Sequence, residues 1–437
     1  MTDTLPETSR QTSERPAFLR ELEWRGLLQD ESEGLAARLA RGPISGYVGF
    51  DPTSDSLQVG NLMPIAMLAA LQRTGAGAPV AVVGGGTGMI GDPSGKSAER
   101  NLLDDETLDA NRAGQRAQLE RFLDFSGSLS ARVFDNRDWL RQFGLIEWLR
   151  DIGKHFPISY MLAKDSVQTR LESGISFTEF SYMTLQATDY LHLYRDEGVE
   201  LQMGGADQWG NITAGTELIR RVEGLDQNGQ PRAFAASCPL LLTSTGTKFG
   251  KTEQGTVWLD AKRTSPYAFY QYWIGQDDRD VGMMLRRLTL LAADEIYELE
   301  EKQRANPEQR PAHKALASHM TTRVHGADEA RRQVRASEAA FSVESPRDPD
   351  VLDVLFAELP SWEFADEDLR SGALSIAVSS GLYPSRSEAN RQIAQGAFSI
   401  NGQRVTEPDA AVPDLVDGRY LVLRAGKKRL LIGRKRI

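Results

Sequence analysis

The stretch Gly46-Tyr-Val-Gly-Phe-Asp-Pro-Thr-Ser-Asp-Ser-Leu-Gln-Val-Gly-Asn-Leu62 constrains the fold of this chain more than any other. It begins as a short apolar strand, Tyr47 to Phe50, and breaks at Asp51-Pro52. Thr53, Ser54, Asp55 and Ser56 follow, all residue types that cap helix N-termini. Leu57, Leu62, Ile65, Leu68 and Ala69 then recur at helical spacing. A strand that turns into a helix aims free backbone N–H groups and a positive dipole end at one place, which suits a phosphate.

The alternation continues downstream. Helices are predicted over Phe18 to Leu28 and Gly34 to Ala40, before the organising strand. Pro79-Val-Ala-Val-Val83 is apolar throughout, as a buried parallel strand is, and ends in a glycine-rich loop from Gly84 to Ser97. A long polar helix (103–125), a third strand (132–134) and a helix (139–152) come next. Phe177 to Arg195 reads as helix. The strand Val199 to Met203 then runs into Gly204-Gly-Ala-Asp-Gln-Trp-Gly-Asn211 and another helix, and a last strand is expected over Leu240 to Thr243. This pattern predicts a doubly wound parallel-sheet α/β domain over 17–260. Only helices are expected over 261–343, an acidic linker with one helix over 344–370, and a small α/β unit over 371–437. Residues 1–16 are polar, with no apolar signal core, and read as a disordered tail.

A length of 437 residues suits two or three domains. The lone Cys238 excludes an internal disulfide and a cysteine-based metal cage. No run approaches the roughly 18 apolar residues of a membrane helix. A cytoplasmic protein without a membrane partner is expected. The net charge of −10 argues against a surface that coats nucleic acid everywhere, yet the charge is uneven. Glu344 to Asp368 holds nine acidic residues against one Arg347, whereas after Asp417 there are only bases, interleaved with strand-like Tyr420 to Leu423 and Leu430 to Ile432. That end reads as a folded basic surface suited to RNA.

Gly86-Thr-Gly-Met-Ile-Gly91 matches a dinucleotide fingerprint, but Asp92-Pro-Ser-Gly95 prolongs the loop where a helix should open, so a nicotinamide enzyme is not expected. Gly91 to Ser97 and Gly246 to Thr252 each fall one residue short of a P-loop, which spoils its ring of N–H groups. Lys248-Phe-Gly-Lys-Thr252 is better read as a loop bearing two ammonium groups and a hydroxyl. Histidines 155, 192, 313, 319 and 325 read as surface or internally satisfied side chains, and no cluster offers a resident metal site. Tyr182, Gln186 and Asp189 form a polar stripe on a core-facing helix. Leaving such groups buried and unpaired costs about 1–3 kcal/mol each, so the stripe implies a partner.

Together these stretches resemble the class I aminoacyl-tRNA synthetases, and within them the bacterial tyrosyl enzymes, from about Phe18 to the C-terminus. The likeness rests on Tyr47 to Thr53, Gly88-Met-Ile-Gly-Asp-Pro-Ser-Gly95, Gly174-Ile-Ser-Phe-Thr-Glu-Phe-Ser-Tyr-Met183, Gly204 to Asn211 and Lys248 to Thr252. The last is similar to the family's mobile two-lysine loop. The family's His-Ile-Gly-His signature stands here as Gln58-Val-Gly-Asn61. A glutamine amide donates a hydrogen bond but never carries charge, so slower activation is expected rather than none.

The resemblance implies a Rossmann-like catalytic domain, a helical anticodon-arm domain and an S-four-type RNA-binding domain around Ser385 to Gly402. It implies that Tyr47 and Asp189 hold the phenolic OH of tyrosine. Asp92, Tyr182 and Gln186, with Thr87 and Gln208 nearby, would hold its ammonium group. Gly49, Asp51, Gly60, Gly205 and Asp207 would line the ATP site. Catalytic roles at the triphosphate fall to Thr53, Gln58, Asn61, Lys248, Lys251 and Thr252, with Lys96 and Arg100 near the pyrophosphate exit. Lys164, Arg220, Arg221, Arg386, Arg391, Lys427 and Lys428 would meet tRNA. The expected partners are L-tyrosine, ATP with Mg²⁺, the tRNA for tyrosine and a second copy of the chain. The rival expectation is a catalytically weakened paralogue that keeps the fold only to bind RNA.

Overall fold

Strand Ile44–Phe50 (β2) lies at the centre of a six-stranded sheet ordered β1-β6-β5-β2-β3-β4, with β1 Asp30–Glu31, β3 Gly77–Val83, β4 Arg132–Asp135, β5 Val199–Gly205 and β6 Phe234–Cys238. Strands β2 to β6 run parallel, and the two-residue β1 closes one edge antiparallel to β6. The chain leaves β2 toward β3 and β4, then returns to β2's other side as β5. The carboxyl ends of β2 and β5 therefore flank the switch point where doubly wound sheets bind ligands. The computed structural model describes residues 15–94, 104–171, 174–246, 249–252, 255–426 and 429–436, and the expected tail falls outside them except for its last two residues. Of these, Arg15 pairs with Glu23 at 2.8 Å and Glu31 at 2.7 Å.

The first unit, Met1–Arg263 with Asp277–Ala312, contains this sheet. Its helices in chain order are α1 Ala17–Arg25, α2 Leu35–Leu39, α3 Leu62–Arg73, α4 Asp105–Leu119, α5 Arg137–Leu140, α6 Leu145–Asp151, α7 Ile158–Leu162, α8 Asp165–Leu171, α9 Phe177–Glu197 and α10 Trp209–Glu223, then α11 Asp278–Leu288 and α12 Ala293–Ala305. Glycine at 144 splits the helix expected over 139–152 into α5 and α6. The last strand of the sheet is Phe234–Cys238, not the expected 240–243.

The organising turn departs from its sequence reading. Residues 51–58 form a loop, a 3-10 turn follows at Val59–Asn61, and α3 starts only at Leu62. None of Thr53, Ser54, Asp55 or Ser56 caps a helix, because tertiary partners claim this segment. Asn111 donates to Pro52 O at 2.8 Å and Gln115 to Asp51 O and Ser54 O, both at 3.0 Å, all from α4. Gly114 permits that approach: a Cβ there would sit 2.0 Å from the Asp55 carbonyl oxygen. Gly114→Ala gains about 1 kcal/mol of helix propensity but drives a methyl into rigid backbone, so net destabilisation of about 1–3 kcal/mol is expected. Denaturant unfolding checks this, and an unchanged midpoint would refute the contact.

The second unit comprises Thr264–Gln276 and His313–Ile437, so the helices expected as one domain over 261–343 divide between the two units. Its five-stranded sheet is ordered β11-β10-β12-β13-β9, with β9 Ser361–Phe364, β10 Phe398–Ile400, β11 Gln403–Val405, β12 Tyr420–Ala425 and β13 Arg429–Lys435. Alternation along β12 buries both faces. Tyr420 and Val422 pack with Tyr267, Ala336, Leu352 and Leu355, while Leu421 and Leu423 pack with Ile376, Ala389, Ile393 and Phe398. The stretch expected as a linker thus contributes a helix, Pro349–Glu358, and a strand, β9, to this body. Among the described residues no helix is long and apolar enough to cross a membrane.

Candidate active site

Four strand ends and α9 converge at the switch point. Tyr47 lies on β2, buried, its ring edge-on to Tyr190 with centroids 5.3 Å apart. Its hydroxyl finds no hydrogen-bond partner among the described residues. Burial, then the charge of Asp189 and the neighbouring Tyr190, hold its pKa well above the usual phenol value. Asp189, 4% exposed on α9, accepts from Asn136 Nδ2 at 2.8 Å and from Trp139 Nε1 at 2.7 Å. Burial raises its carboxyl to about 7 against the pull of these two donors.

Asn136 is the hub beneath this pair. Its Oδ1 accepts from Gly86 N at 2.7 Å, and its Nδ2 also donates to Thr87 Oγ1 at 2.8 Å. The β4–α5 junction is tied in turn to α4, through Arg112–Asp135 at 2.6 Å and Arg137–Asp109 at 2.7 Å. Sequence reasoning missed Asn136 and Trp139, since an asparagine after a strand reads as a turn and a tryptophan beyond it as core. The available signal was their position at the carboxyl end of a parallel strand.

Asp92 marks a second polar knot. It is buried, and accepts from Gln208 Nε2 at 2.5 Å and Ser94 N at 2.9 Å. Asn211, also missed from sequence, donates to Ser94 Oγ and Gln208 Oε1, both at 3.3 Å. Tyr182 donates to Asp51 Oδ1 at 3.2 Å, which joins α9 to the organising turn, and Gln186 lies half-buried one helical turn further on. The structure thus joins Thr87 to Asp189 through the Asn136 amide and sets Gln208 directly on Asp92.

The backbone at Gly49 and Gly60 is open. Gly49 is exposed within an otherwise buried strand, and a Cβ on Gly49 or Gly60 would meet nothing within 4 Å. Asp207 folds back over Gly205, its Oδ1 2.6 Å from where a Cβ would stand. Asn61 steadies the turn, its Oδ1 accepting from Gln58 N at 2.9 Å, while Thr53 is exposed.

Lys248 lies outside the described residues, as do Lys96, Arg100, Lys427 and Lys428. Lys251 and Thr252 are described in their backbone only, as a strand (β7) paired with Gly255–Thr256 (β8). The root of their loop is stitched to the organising turn. Val59 N donates to Val257 O at 3.1 Å, Leu259 N to Leu57 O at 2.9 Å, and Val257 N to Gly250 O at 2.9 Å. A Cβ at Gly250 would stand 3.5 Å from that of Val59.

The expected tRNA contacts in the first unit are partly neutralised. Arg220 is bidentate to Glu217 at 2.7 and 2.8 Å, and Arg221 shares the same carboxylate at 2.6 Å. The Arg220 bonds foremost, helped by Arg221, hold Glu217 down to about 2. Lys164 donates to Thr213 at 3.2 Å and rests over the Tyr160 ring. In the second unit Arg386 and Arg391 are exposed on helix Arg386–Ala394.

A family model for class I tRNA synthetases (W and Y) matches residues 39–342, and one for a tyrosine–tRNA ligase SYY-like C-terminal domain matches 351–432. The chain belongs to the class I tRNA synthetases of this tryptophan and tyrosine branch. A tyrosine–tRNA ligase from Anaeromyxobacter dehalogenans is 53% identical over 411 residues, covering 92% of this chain and 96% of that protein. One from Geobacillus stearothermophilus is 46% identical over 418 residues, covering 94% and 98%. The solved structure of a C-terminally truncated mitochondrial tyrosyl-tRNA synthetase from Aspergillus nidulans superposes with a TM-score of 0.68 at 29% identity, over 76% of this chain and 97% of that one. The particular activity is therefore tyrosine–tRNA ligation: L-tyrosine is activated with ATP and joined to its tRNA. A purely RNA-binding role is not favoured by these relatives.

Proposed function

We propose that Tyr47 and Asp189 hold the substrate phenol, that the Asp92–Gln208 knot with Tyr182 and Gln186 holds its ammonium group, and that Gly49, Asp51, Gly60, Gly205 and Asp207 line the ATP site. The carboxylate of tyrosine then attacks the α-phosphate in line, forming an acyl–phosphate bond as the bond to pyrophosphate breaks. The tRNA 3′-terminal adenosine hydroxyl takes the tyrosyl group in the second step, and AMP leaves. No side chain becomes covalently bound, so the protein contributes position and electrostatics. Thr53, Gln58, Asn61, Lys248, Lys251 and Thr252 meet the charge that grows on the leaving group, and Mg²⁺ enters with the nucleotide as part of the substrate. The location is cytoplasmic.

The observation that carries this reading is the buried Tyr47 hydroxyl without a described partner beside a carboxylate already clamped by two N–H donors. A hydroxyl kept only for the fold would be bonded, because an unmet buried group costs about 1–3 kcal/mol. Tyr47→Phe should therefore leave thermal stability unchanged or slightly raised while weakening tyrosine several-fold in ATP–pyrophosphate exchange. Loss of stability with unaltered tyrosine KM would reverse the assignment.

A homodimer is part of the proposal. Helix α6 buries none of its residues, and Leu145, Ile146 and Phe177 are 72%, 74% and 77% exposed, with Ile158 and Leu149 also exposed. Apolar side chains so concentrated on one unit mark an interface. The double substitution Leu145→Asp with Ile146→Asp should convert a two-chain particle into single chains of native circular dichroism. A wild-type mass of one chain by sedimentation equilibrium would remove this part of the proposal. For tRNA, the exposed Arg386 and Arg391 with Lys427 and Lys428 are assigned to an S-four-type surface, and Lys164, Arg220 and Arg221 to the acceptor end.

A further inference from the structure

Trp139 supplies one of the two N–H groups that fix Asp189, and its indole is itself held from the side. The His192 imidazole stacks on it, centroids 4.4 Å apart and planes 23° from parallel. Phe134 of β4 meets the same indole edge-on at 6.5 Å. His192 is oriented in turn by Asp196, whose Oδ2 lies 2.8 Å from His192 Nδ1. A carboxylate only accepts, so Nδ1 carries the proton and the ring cannot flip without losing that bond. Asp189, His192 and Asp196 follow at spacings of three and four along α9, which places them on one stripe of the helix.

We propose that His192 is a positioning residue for tyrosine recognition: its imidazole, set by Asp196, is the plate that keeps the Trp139 indole N–H on the Asp189 carboxylate. Without the plate the indole has room to tilt, and a hydrogen bond to a buried carboxylate weakens steeply as its angle opens. Asp189 then swings between acceptor positions, and the substrate phenol loses a fixed partner. ATP, bound at the strand-end backbone, does not depend on the indole. The effect belongs to the tyrosine side chain alone. The side chain of His192 is 29% exposed, so its replacement opens little core.

The inference rests on the assignment of Asp189 to the substrate phenol, and the test separates the two. ATP–pyrophosphate exchange is measured with tyrosine and with phenylalanine for the wild-type enzyme and for His192→Ala, His192→Phe and Asp189→Ala, alongside thermal unfolding. A stacked aromatic pair is lost in His192→Ala, so tyrosine KM should rise roughly 3- to 10-fold with kcat and the ATP KM within about twofold. The tyrosine-to-phenylalanine ratio of kcat/KM should fall by the same factor. His192→Phe restores a flat ring and should recover both values. An unchanged ratio in His192→Ala, a parallel loss for tyrosine and ATP with a lowered unfolding midpoint, or failure of His192→Phe to rescue would each overturn the proposal. Should Asp189→Ala keep the wild-type ratio, the Asp189 assignment itself fails, whatever His192→Ala does.

Discussion

Asp189→Ala is expected to remove most of the preference for tyrosine over phenylalanine while leaving the ATP KM in place. A hydrogen bond to a charged acceptor contributes about 1.5–3 kcal/mol, on the order of 10- to 100-fold in kcat/KM for the substrate that makes it. Phenylalanine makes no such bond, so its kcat/KM should change little or improve. Tyrosyl-tRNA synthetases are themselves the known case of a site built to bond a hydroxyl rejecting the analogue that lacks one. The ratio of the two substrates is the proper readout, since any fraction of unfolded enzyme cancels from it. Equal losses for both amino acids would defeat the assignment. The pH dependence follows from the same carboxyl. Burial holds it at about 7, so the ionised acceptor is populated above that pH and lost below it. Tyrosine KM should therefore rise as the pH drops through 7 to 6, with no matching change for phenylalanine. Stability moves in the opposite sense: a carboxyl with a raised folded-state pKa makes folding less favourable as the pH climbs from about 4 to about 7.

The second large effect is expected at the loop lysine. Lys251→Ala should lower kcat for tyrosine activation by roughly 10²- to 10³-fold, the usual consequence of removing one preorganised group that meets developing charge. Tyrosine affinity, set across the sheet at Tyr47 and Asp189, should hold. The reason to expect a rate effect lies in the loop root, which is hydrogen-bonded to residues 57–59 of the organising turn. Gln58 cannot carry charge, which leaves the ammonium groups as the strongest cations for the leaving pyrophosphate. Pre-steady-state formation of the adenylate measures this step directly. Retention of activity within about threefold would mean that the loop serves another purpose.

The parallel core of the first unit was legible because fully buried strands are written in one kind of residue. Tyr47 to Phe50 and Pro79 to Val83 are apolar runs bounded by glycine or proline, and both fall within observed strands. Phe234–Cys238 escaped the same logic: Ala235, Ala236 and Ser237 have weak strand preference, and only the neighbouring strand makes them extended. The helix start was misplaced for a related reason. Cap residues were present at 53–56, but Asn111, Gln115 and Asp260 bind the segment 51–56 from far away in sequence. At the site, Tyr47, Asp92, Thr87, Tyr182, Asp189 and Gln208 were named because the resemblance to the synthetase family implied them. Asn136, Trp139 and Asn211 were not, because their importance lies in which atoms they reach. His192 was read, with the other histidines, as a surface or internally satisfied side chain, and only the stacked geometry gives it a further role.

The double clamp on Asp189 also bears on attempts to teach this enzyme a new amino acid. Swapping the carboxylate for an apolar group to admit a larger or uncharged ring strands the Asn136 amide and the Trp139 indole in a dry interior. Asn136 additionally anchors the Gly86–Thr87 bend, so it cannot simply be trimmed away. Changes at these three positions will be strongly non-additive, and libraries that vary them together should keep the stability that single replacements lose.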